Sequence, residues 1–234
     1  MLDLLERNSP ALMQLISPAL AEELHKASVT VKYDDGQRIH SRGDNKPGVS
    51  IVKSGAARIG TLGMDGSFIT VSVLGAGQSF GEHTLFADLP RTHDVSAVGP
   101  TEIDQIPGPV FMRLFDEQRE LAPALLKTAL VRSYAFLEQL DDMRRLALHV
   151  RLAKFLMSIR AADQQAEAVI KCLQSELAFT LGVSRVAIGK AVKRLHAAGL
   201  IEPGYGQITL RDRARLKRWI DAEIKIVPLR SGRP

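Results

Sequence analysis

The stretch QSELAFTLGVSRVAIGKAVKRLHAAG, residues 174–199, decides the fold of the C-terminal part of this chain. Two predicted helices, over 174–181 and 185–198, each carry one apolar face: Leu177, Ala178 and Leu181 in the first, and Ile188, Val192 and Leu195 in the second. Between them, Gly182 suits a left-handed turn and Ser184 is a favourable N-cap for the second helix. The spacing therefore predicts a helix-turn-helix, a motif whose second helix enters the major groove of DNA.

The outer face of the second predicted helix is basic. The candidate DNA-contacting residues are Ser184, Arg185, Val186, Gly189, Lys190, Lys193 and Arg194. We expect Arg185 to contact a base edge, whereas the two lysines and Arg194 neutralise phosphates. A predicted strand, turn and strand follow over residues 200–210 and complete a winged helix. The alternative is an ordinary helical hairpin with a solvated basic face.

Charge is distributed unevenly along the 234 residues, whose formal net charge is +5. Residues 1–140 hold 13 Lys and Arg against 17 Asp and Glu, whereas residues 181–234 hold 12 against 4. A basic block after an acidic body is typical of a polyanion-binding module joined to a domain with another role. The partner predicted for this block is double-stranded DNA.

Residues 29–98 contain short apolar runs that are interrupted by glycines. Runs such as Val49–Val52 and Phe68–Leu74 are separated by Gly36, Gly43 and Gly55, among others. Short apolar runs between turn residues are typical of the strands of a barrel or roll. The N-terminal part is therefore predicted to be a β domain.

Helical periodicity returns near Leu114. One seam of a long predicted helix is formed by residues at spacings of four and three: Leu126, Leu130, Ser133, Leu137 and Leu140. We interpret this seam as the contact between two copies of the chain in a homodimer; the alternative is a helix buried inside one large domain. Asp141 and Asp142 are predicted to separate it from the next helix, with one of them as N-cap.

The predicted domains of this α+β protein are an effector-sensing β-roll (1–115), a dimerisation helix (116–140) and a winged helix-turn-helix (141–234).

The segment FGEHTLFADLPRTHDV, residues 80–95, resembles a motif of a known family. Its Phe-Gly-Glu opening, and its Pro-Arg followed by a small residue, resemble the phosphate-binding cassette of cyclic-nucleotide-binding domains. Gly36, Gly43-Asp44 and residues 51–55 resemble the glycine pattern of the same β-roll. Together with the helix-turn-helix, these motifs resemble the cyclic-AMP receptor protein/fumarate-nitrate reduction regulator (CRP/FNR) family of bacterial transcription regulators.

This resemblance implies a cyclic nucleotide, cAMP or cGMP, as the effector, and no required cofactor. It assigns ligand binding to Gly81, Glu82, Arg91 and Thr92. A planar guanidinium can hold two oxygens of a cyclic phosphodiester, and a carboxylate such as that of Glu82 can accept a hydrogen bond from a ribose hydroxyl. RNA polymerase is a further candidate partner.

Two alternatives stay open for the β-roll. In a ligand-free, constitutive DNA binder, Glu82 and Arg91 would form a structural ion pair across an empty pocket. In a regulator that senses haem or another small molecule, His83 is the candidate haem ligand.

Three residues that depart from the family pattern bear on specificity. Phe136-Leu137 fall about where relatives that bind cyclic AMP place small hydroxyl residues, so the base is left open. Val186 stands where Glu or Gln is common in the family, and a valine can contact only a thymine methyl. The operator is therefore expected to differ from the best-known one of the family.

Other classes of protein are disfavoured by the sequence. Gly77–Gly81 matches the Gly-x-Ser-x-Gly nucleophile elbow around Ser79, but it lacks the alternating α/β context, so no enzyme and no catalytic residue are predicted. The histidine spacings and the single cysteine, Cys172, predict no metal site, and this cysteine is expected to be a buried small apolar residue. The first thirty residues fit no secretory signal, and no apolar segment is long enough to span a bilayer, so we expect a cytoplasmic protein without a membrane partner.

Overall fold

The glycine-interrupted segment forms a six-stranded antiparallel sheet in a computed structural model, which describes residues 10–63, 68–159 and 168–224. The strands are β1 (Val29–Tyr33), β2 (Arg38–His40), β3 (Gly48–Leu62), β4 (Phe68–Leu74), β5 (Ser79–Phe80) and β6 (Asp94–Pro107). Their order is β1-β6-β3-β4, with β2 paired to β6 and β5 paired to β3. The predicted β-roll is confirmed.

Short helices cover one side of this sheet and form a second part of the core. They are a 3-10 helix (Leu12–Gln14), α1 (Pro18–Lys26), α2 (Glu82–Phe86) and α3 (Gly108–Glu117). Ser17 caps α1, because its hydroxyl accepts a hydrogen bond from the backbone of Leu20 at 3.3 Å. Leu24 and Phe111 are fully buried in the cluster that α1 and α3 share with the sheet. A separate apolar cluster inside the roll includes Phe80, which Gly81 separates from the start of α2.

The long helix, α4 (Leu121–Arg145), continues past the point at which the sequence predicted a break. Asp141 and Asp142 both lie inside α4, so the prediction that one of them caps a new helix is wrong. The reason is that both carboxylates have cationic partners there: Asp141 pairs with Arg145 at 2.7 Å, and Asp142 pairs with Lys154 at 2.5 Å. The following helix, α5 (Leu148–Ser158), begins after Ala147 instead.

The chain divides into two units, Met1–Glu138 and Gln139–Pro234. The second unit contains α5, β7 (Ala168–Lys171), α6 (Gln174–Thr180), α7 (Arg185–Ala197), β8 (Glu202–Gly204), β9 (Gln207–Leu210) and α8 (Arg213–Glu223). The predicted helix-turn-helix is α6 and α7, and the wing is the β8-β9 hairpin, to which β7 adds a third strand. The domain limits 1–115, 116–140 and 141–234 stay a prediction.

The remaining structural expectations concern the cysteine, metals and membranes. Cys172 is buried, and burial raises the pKa of its thiol to about 11, in agreement with the predicted apolar role. Within residues 10–63, 68–159 and 168–224, no group of three or more His, Cys, Asp or Glu side chains is arranged to hold a metal ion. In the same part of the chain, no helix is both long and apolar enough to cross a membrane.

Candidate ligand pocket and nucleic-acid interface

A cavity of about 330 Å³ lies in the first unit between the β-roll and the middle of α4. All four residues predicted to bind ligand, Gly81, Glu82, Arg91 and Thr92, line it. The rest of the wall is mostly apolar and is lined by Ile59, Val71, Val73, Leu74, Phe80, Val95, Val131, Ala135 and Phe136. The pocket therefore combines a polar end with an apolar end.

Hydrogen bonds between the backbone of Arg91 and a neighbouring turn fix its position in this pocket. The N–H of Gly43 donates to the carbonyl of Arg91 at 2.8 Å, and the N–H of Arg91 donates to the carbonyl of Asp44 at 2.9 Å. Gly43 has a φ of 85°, which explains why the sequence has a glycine at this turn. The turn at 43–44 thus fixes the base of the arginine side chain.

The Arg91 guanidinium is half-buried and lacks an ion-pair partner among the described residues. Its Nε atom is buried and makes no hydrogen bond to that part of the chain. Burial lowers the pKa of Arg91, whereas the more distant charges of Asp44 and Glu82 raise it. A cation in this position is stabilised by an anion that enters the cavity.

Gly81 leaves room for the Arg91 side chain. It precedes α2 with a φ of 102°, in the left-handed region. A Cβ at this position would lie 2.5 Å from the carbonyl oxygen of Gly48 and 3.0 Å from the guanidinium of Arg91. No other residue fits without moving the backbone or displacing Arg91.

Glu82 pairs with a residue that the sequence analysis did not identify. Its Oε1 accepts a hydrogen bond from the Ser79 hydroxyl at 2.5 Å and lies 3.6 Å from Nη1 of Arg132 in α4. Among the described residues no ion pair joins Glu82 to Arg91, although the charge of Glu82 raises the pKa of Arg91; the ligand-free alternative for the β-roll stays open. The Ser79 side chain is fully buried and bound to Glu82, which also removes it as the nucleophile of an exposed elbow.

Two further pocket residues, Thr92 and His93, face each other. Thr92 is exposed, and its hydroxyl lies 2.8 Å from Nδ1 of His93. Burial lowers the pKa of His93, and Arg42 lowers it further, against the opposing effect of Asp94. The Thr92 hydroxyl thus lies in the wall of the cavity and is hydrogen-bonded to His93.

His40 packs against the pocket residue Phe80 and was not identified in the sequence analysis. Its Nε2 is 3.0 Å from the Ser50 hydroxyl, and its ring packs edge-on against Phe80. Burial, together with the charge of Arg91, lowers its pKa to about 4. His40 is therefore neutral near pH 7 and adds no second positive charge next to Arg91.

The predicted dimer seam lies on the exposed surface of α4. The side chains of Leu126, Leu130, Leu137 and Leu140 are 60%, 60%, 64% and 48% exposed, and Ser133 is exposed between them. Isolated leucines on a surface need no explanation, but four along one helix form a continuous apolar strip. Phe136, which lines the pocket, is also 51% exposed.

The second unit presents the predicted DNA-contacting face. The Ser184 hydroxyl accepts from the N–H of Ala187 at 3.2 Å, so this residue caps α7 as predicted. Arg185, Val186, Lys190, Lys193 and Arg194 are all exposed, and Gly189 is partly exposed between them. Arg151 of α5 fixes the turn by donating to the carbonyl of Leu181 at 2.9 Å.

The wing carries an aromatic residue that the sequence analysis did not single out. Tyr205 lies at the tip of the β8-β9 hairpin and is fully exposed. Gly206 follows it with a φ of 65°, as the tight turn requires. The tip of the wing therefore presents a large aromatic side chain to solvent.

Comparisons with known proteins agree with both parts of the chain. Residues 30–118 match the family model described as cyclic nucleotide-binding domain, and residues 150–219 match the Crp-like helix-turn-helix domain. The transcriptional regulator SdrP of Thermus thermophilus is 28% identical over 71% of this chain and 80% of its own length. The CRP-like cAMP-activated global transcriptional regulator of Mycobacterium tuberculosis is 23% identical over 88% of this chain and 95% of its own.

A solved structure supports the same fold over nearly the whole chain. A mutant of CooA from Carboxydothermus hydrogenoformans superimposes with a TM-score of 0.74, covering 91% of this chain and 96% of its own at 19% identity. The fold and the two family domains define a transcription regulator with a cyclic-nucleotide-binding-type sensor and a winged helix-turn-helix, not an enzyme. With these two matched domains in this order, the chain is a CRP-like transcription regulator.

Proposed function

We propose that this regulator is a homodimer whose affinity for double-stranded DNA is controlled by a cyclic nucleotide, cAMP or cGMP, bound at Arg91. The observation that carries the proposal is a half-buried guanidinium that forms no ion pair with any described carboxylate, in a cavity that also contains Glu82. The name of the M. tuberculosis relative, which specifies activation by cAMP, supports the same class of effector.

The chemistry of the pocket fits the two ends of such a ligand. A cyclic phosphodiester is a compact monoanion, and the fork of Arg91 can hold two of its oxygens while the Thr92 hydroxyl donates at the rim. Glu82 accepts from the ribose hydroxyl. The base occupies the apolar end, against Val71, Val131 and Phe136. A cavity of about 330 Å³ is within the usual range for small-molecule sites.

Dimerisation gives the ligand a way to control DNA binding. The apolar strip of α4 is covered by the same strip of a second copy, and residues of α4 also line the ligand pocket. Ligand favours the dimer arrangement in which the two α7 helices are about 34 Å apart, one turn of DNA. Arg185 reads a base edge, and Lys190, Lys193 and Arg194 neutralise phosphates.

Calorimetry with cAMP, cGMP and cyclic di-GMP tests the effector. We expect one of these nucleotides to bind wild-type protein and to lose most of its affinity in Arg91→Gln, since an amide cannot neutralise the phosphate. No binding by any of the three would overturn the nucleotide proposal and favour a ligand-free or haem-sensing member. Selection of bound DNA from a random pool, with and without the nucleotide, tests whether the effector controls DNA affinity.

A further inference from the structure

A hydrogen-bonded cluster outside the ligand pocket joins α1 to three strands of the sheet. His25, in the last turn of α1, places Nδ1 2.8 Å from Oδ2 of Asp104 in β6. Thr30 of β1 donates to the other oxygen of Asp104 at 2.5 Å. Lys53 of β3 places Nζ 3.4 Å from Nε2 of His25 and 3.5 Å from the Thr30 hydroxyl. The order β1-β6-β3 brings these side chains together.

The hydrogen bond to Asp104 indicates which ring nitrogen of His25 carries a proton. Asp104 is 5% exposed, and an ionised carboxylate only accepts, so Nδ1 of His25 carries the proton and donates it to Oδ2. In the neutral form of this imidazole, Nε2 directs its lone pair at Lys53. A carboxylate that orients an imidazole, which in turn contacts a nucleophile, is the arrangement that activates nucleophiles in proteins.

The nucleophile of this cluster is accessible from solvent. Lys53 is exposed, and the side chain of His25 is 39% exposed, whereas Asp104 is shielded below them. We propose that Lys53 is an acyl-acceptor site, at which His25, oriented by Asp104, acts as general base when the ε-amino group attacks an activated acyl group. The donor is an acyl phosphate or an acyl thioester, two classes that share an electrophilic carbonyl and a good leaving group.

The reaction balances without a redox partner. The ammonium group of Lys53 first loses a proton to solvent. The neutral amine then attacks the carbonyl carbon and a C–N bond forms, while the C–O bond to phosphate, or the C–S bond to the thiol, breaks. The proton from the attacking nitrogen passes to Nε2 of His25 and then to solvent. The product is a neutral amide at Lys53, which removes one positive charge from this face of the sheet.

The test compares two lysines in the same molecule. Full-length protein is incubated with acetyl phosphate or, separately, with acetyl-coenzyme A, and site-resolved mass spectrometry gives the initial rate at each lysine. Lys32 of β1 is the internal control, because its side chain is 83% exposed and lies 3.3 Å from a carboxylate, that of Glu102. We expect Lys53 to react at least about a hundredfold faster than Lys32, the lower end of the range for general-base catalysis.

His25→Gln separates a general base from a structural contact. The glutamine amide keeps a hydrogen-bond donor and acceptor but cannot accept the proton, so the rate at Lys53 should fall to that at Lys32, with Lys32 unchanged. If Lys53 is acylated faster than Lys32 with only one of the two acyl donors, the result supports the proposal and identifies the class of acyl donor. Equal rates at the two lysines with both donors, or an excess that survives in His25→Gln, would overturn it. The wild-type comparison stays decisive even if the variant does not fold.

Discussion

The guanidinium of Arg132 in α4 lies 3.6 Å from the carboxylate of Glu82 at the start of α2, and its Nη2 donates to the carbonyl of Ser79 at 2.7 Å. Glu82 is a proposed ligand contact, and α4 carries the apolar strip proposed for dimerisation. One side chain thus connects the polar end of the pocket to the helix through which ligand would act. A ligand that donates a hydrogen bond to Glu82 therefore changes the electrostatic environment of the Arg132 guanidinium.

Arg132→Gln is expected to weaken nucleotide binding by about tenfold and to reduce the effect of nucleotide on DNA affinity. The side chains of Arg132 and Glu82 are 22% and 20% exposed, so their contact contributes more than a surface ion pair does. We expect it to contribute about 1 to 2 kcal/mol. Calorimetry measures the first effect and fluorescence anisotropy with labelled DNA measures the second.

Arg145→Gln is the matched control on the same helix. Its pair with Asp141 is 59% and 45% exposed, so its loss should leave nucleotide affinity unchanged. If Arg132→Gln binds nucleotide and responds to it like wild type, Arg132 has only a structural role.

Glu82→Gln is expected to change how the protein discriminates ribose from 2′-deoxyribose. The wild-type carboxylate accepts from the ribose hydroxyl, and removal of one hydrogen bond to a charged group costs about 1.5 to 3 kcal/mol, or roughly ten- to a hundredfold in affinity. The variant should show a smaller difference between the nucleotide and its 2′-deoxy analogue. Calorimetry of both proteins with both ligands measures how much of this discrimination depends on Glu82. Equal discrimination by wild type and Glu82→Gln would mean that the ribose hydroxyl does not contact Glu82.

Much of this architecture follows from local sequence features. Gly182 and Ser184 act at the turn and N-cap where short-range chemistry predicts them, and the glycines at 43 and 81 mark backbone positions with positive φ. By contrast, the partner of Glu82 depends on where α4 passes the sheet, which no local pattern encodes. His40 was missed for the same reason, since its neutral state results from burial beside Arg91.

Helix ends and basic segments were the less predictable elements. α8 was not predicted, because only Leu216 and Ile220 of this arginine-rich helix are buried, and the basic residues suggest a solvated tail. Asp141 and Asp142 resemble a cap in sequence, but their ion pairs with Arg145 and Lys154 stabilise a continuous helix. Tertiary contacts therefore decide whether an aspartate caps a helix or forms an ion pair inside one.

His40 is expected to make the first unit sensitive to acid. Burial, Arg91 and Lys46 lower its pKa from 6.5 to about 4, against the effect of Asp44. Because the unfolded chain binds the proton first, the contribution of neutral His40 is fully present above pH 6.5 and is lost as pH falls toward about 4. The loss is of the order of 2 kcal/mol after allowance for partial solvation.

His40→Gln should flatten this part of the pH profile. The amide can retain the contact with Ser50 but does not titrate in this range. Urea unfolding at a series of pH values measures the free energy of unfolding. His83→Gln, which changes an exposed histidine of the same unit, is the control and should keep the wild-type slope. An unchanged slope in His40→Gln would mean that other groups cause the acid sensitivity.

Leu137→Glu is expected to dissociate the proposed homodimer. Leu137 is 64% exposed in the single chain, and burying a leucine is worth about 1.5 to 3 kcal/mol, counted twice in a symmetric dimer. The dimer dissociation constant should therefore rise by at least about a hundredfold. Sedimentation equilibrium measures it, and Lys127→Glu, an exposed change of charge on the same helix, is the control. A monomeric wild-type protein, or an unaffected dimer in Leu137→Glu, would contradict the role of this strip.

Gly189→Ala is expected to affect stability and DNA binding in opposite directions. A Cβ at this position would lie 3.6 Å from Oε1 of Gln174, an ordinary contact, so alanine fits the folded protein. Alanine favours a helix over glycine by up to about 1 kcal/mol, which should raise the free energy of unfolding. Gly189 nevertheless lies on the exposed face between Arg185 and Lys193, where α7 would approach the floor of the groove.

The added methyl should therefore lower affinity for the selected DNA site while unfolding becomes harder. Chemical denaturation and anisotropy with the selected duplex measure the two effects, and a scrambled duplex is the control for phosphate contacts alone, which the methyl does not touch. A variant that is more stable and still binds the selected site as tightly as wild type would mean that this face of α7 does not enter the groove closely. The candidate base contact of Arg185 would then have to come from the helix N-terminus alone.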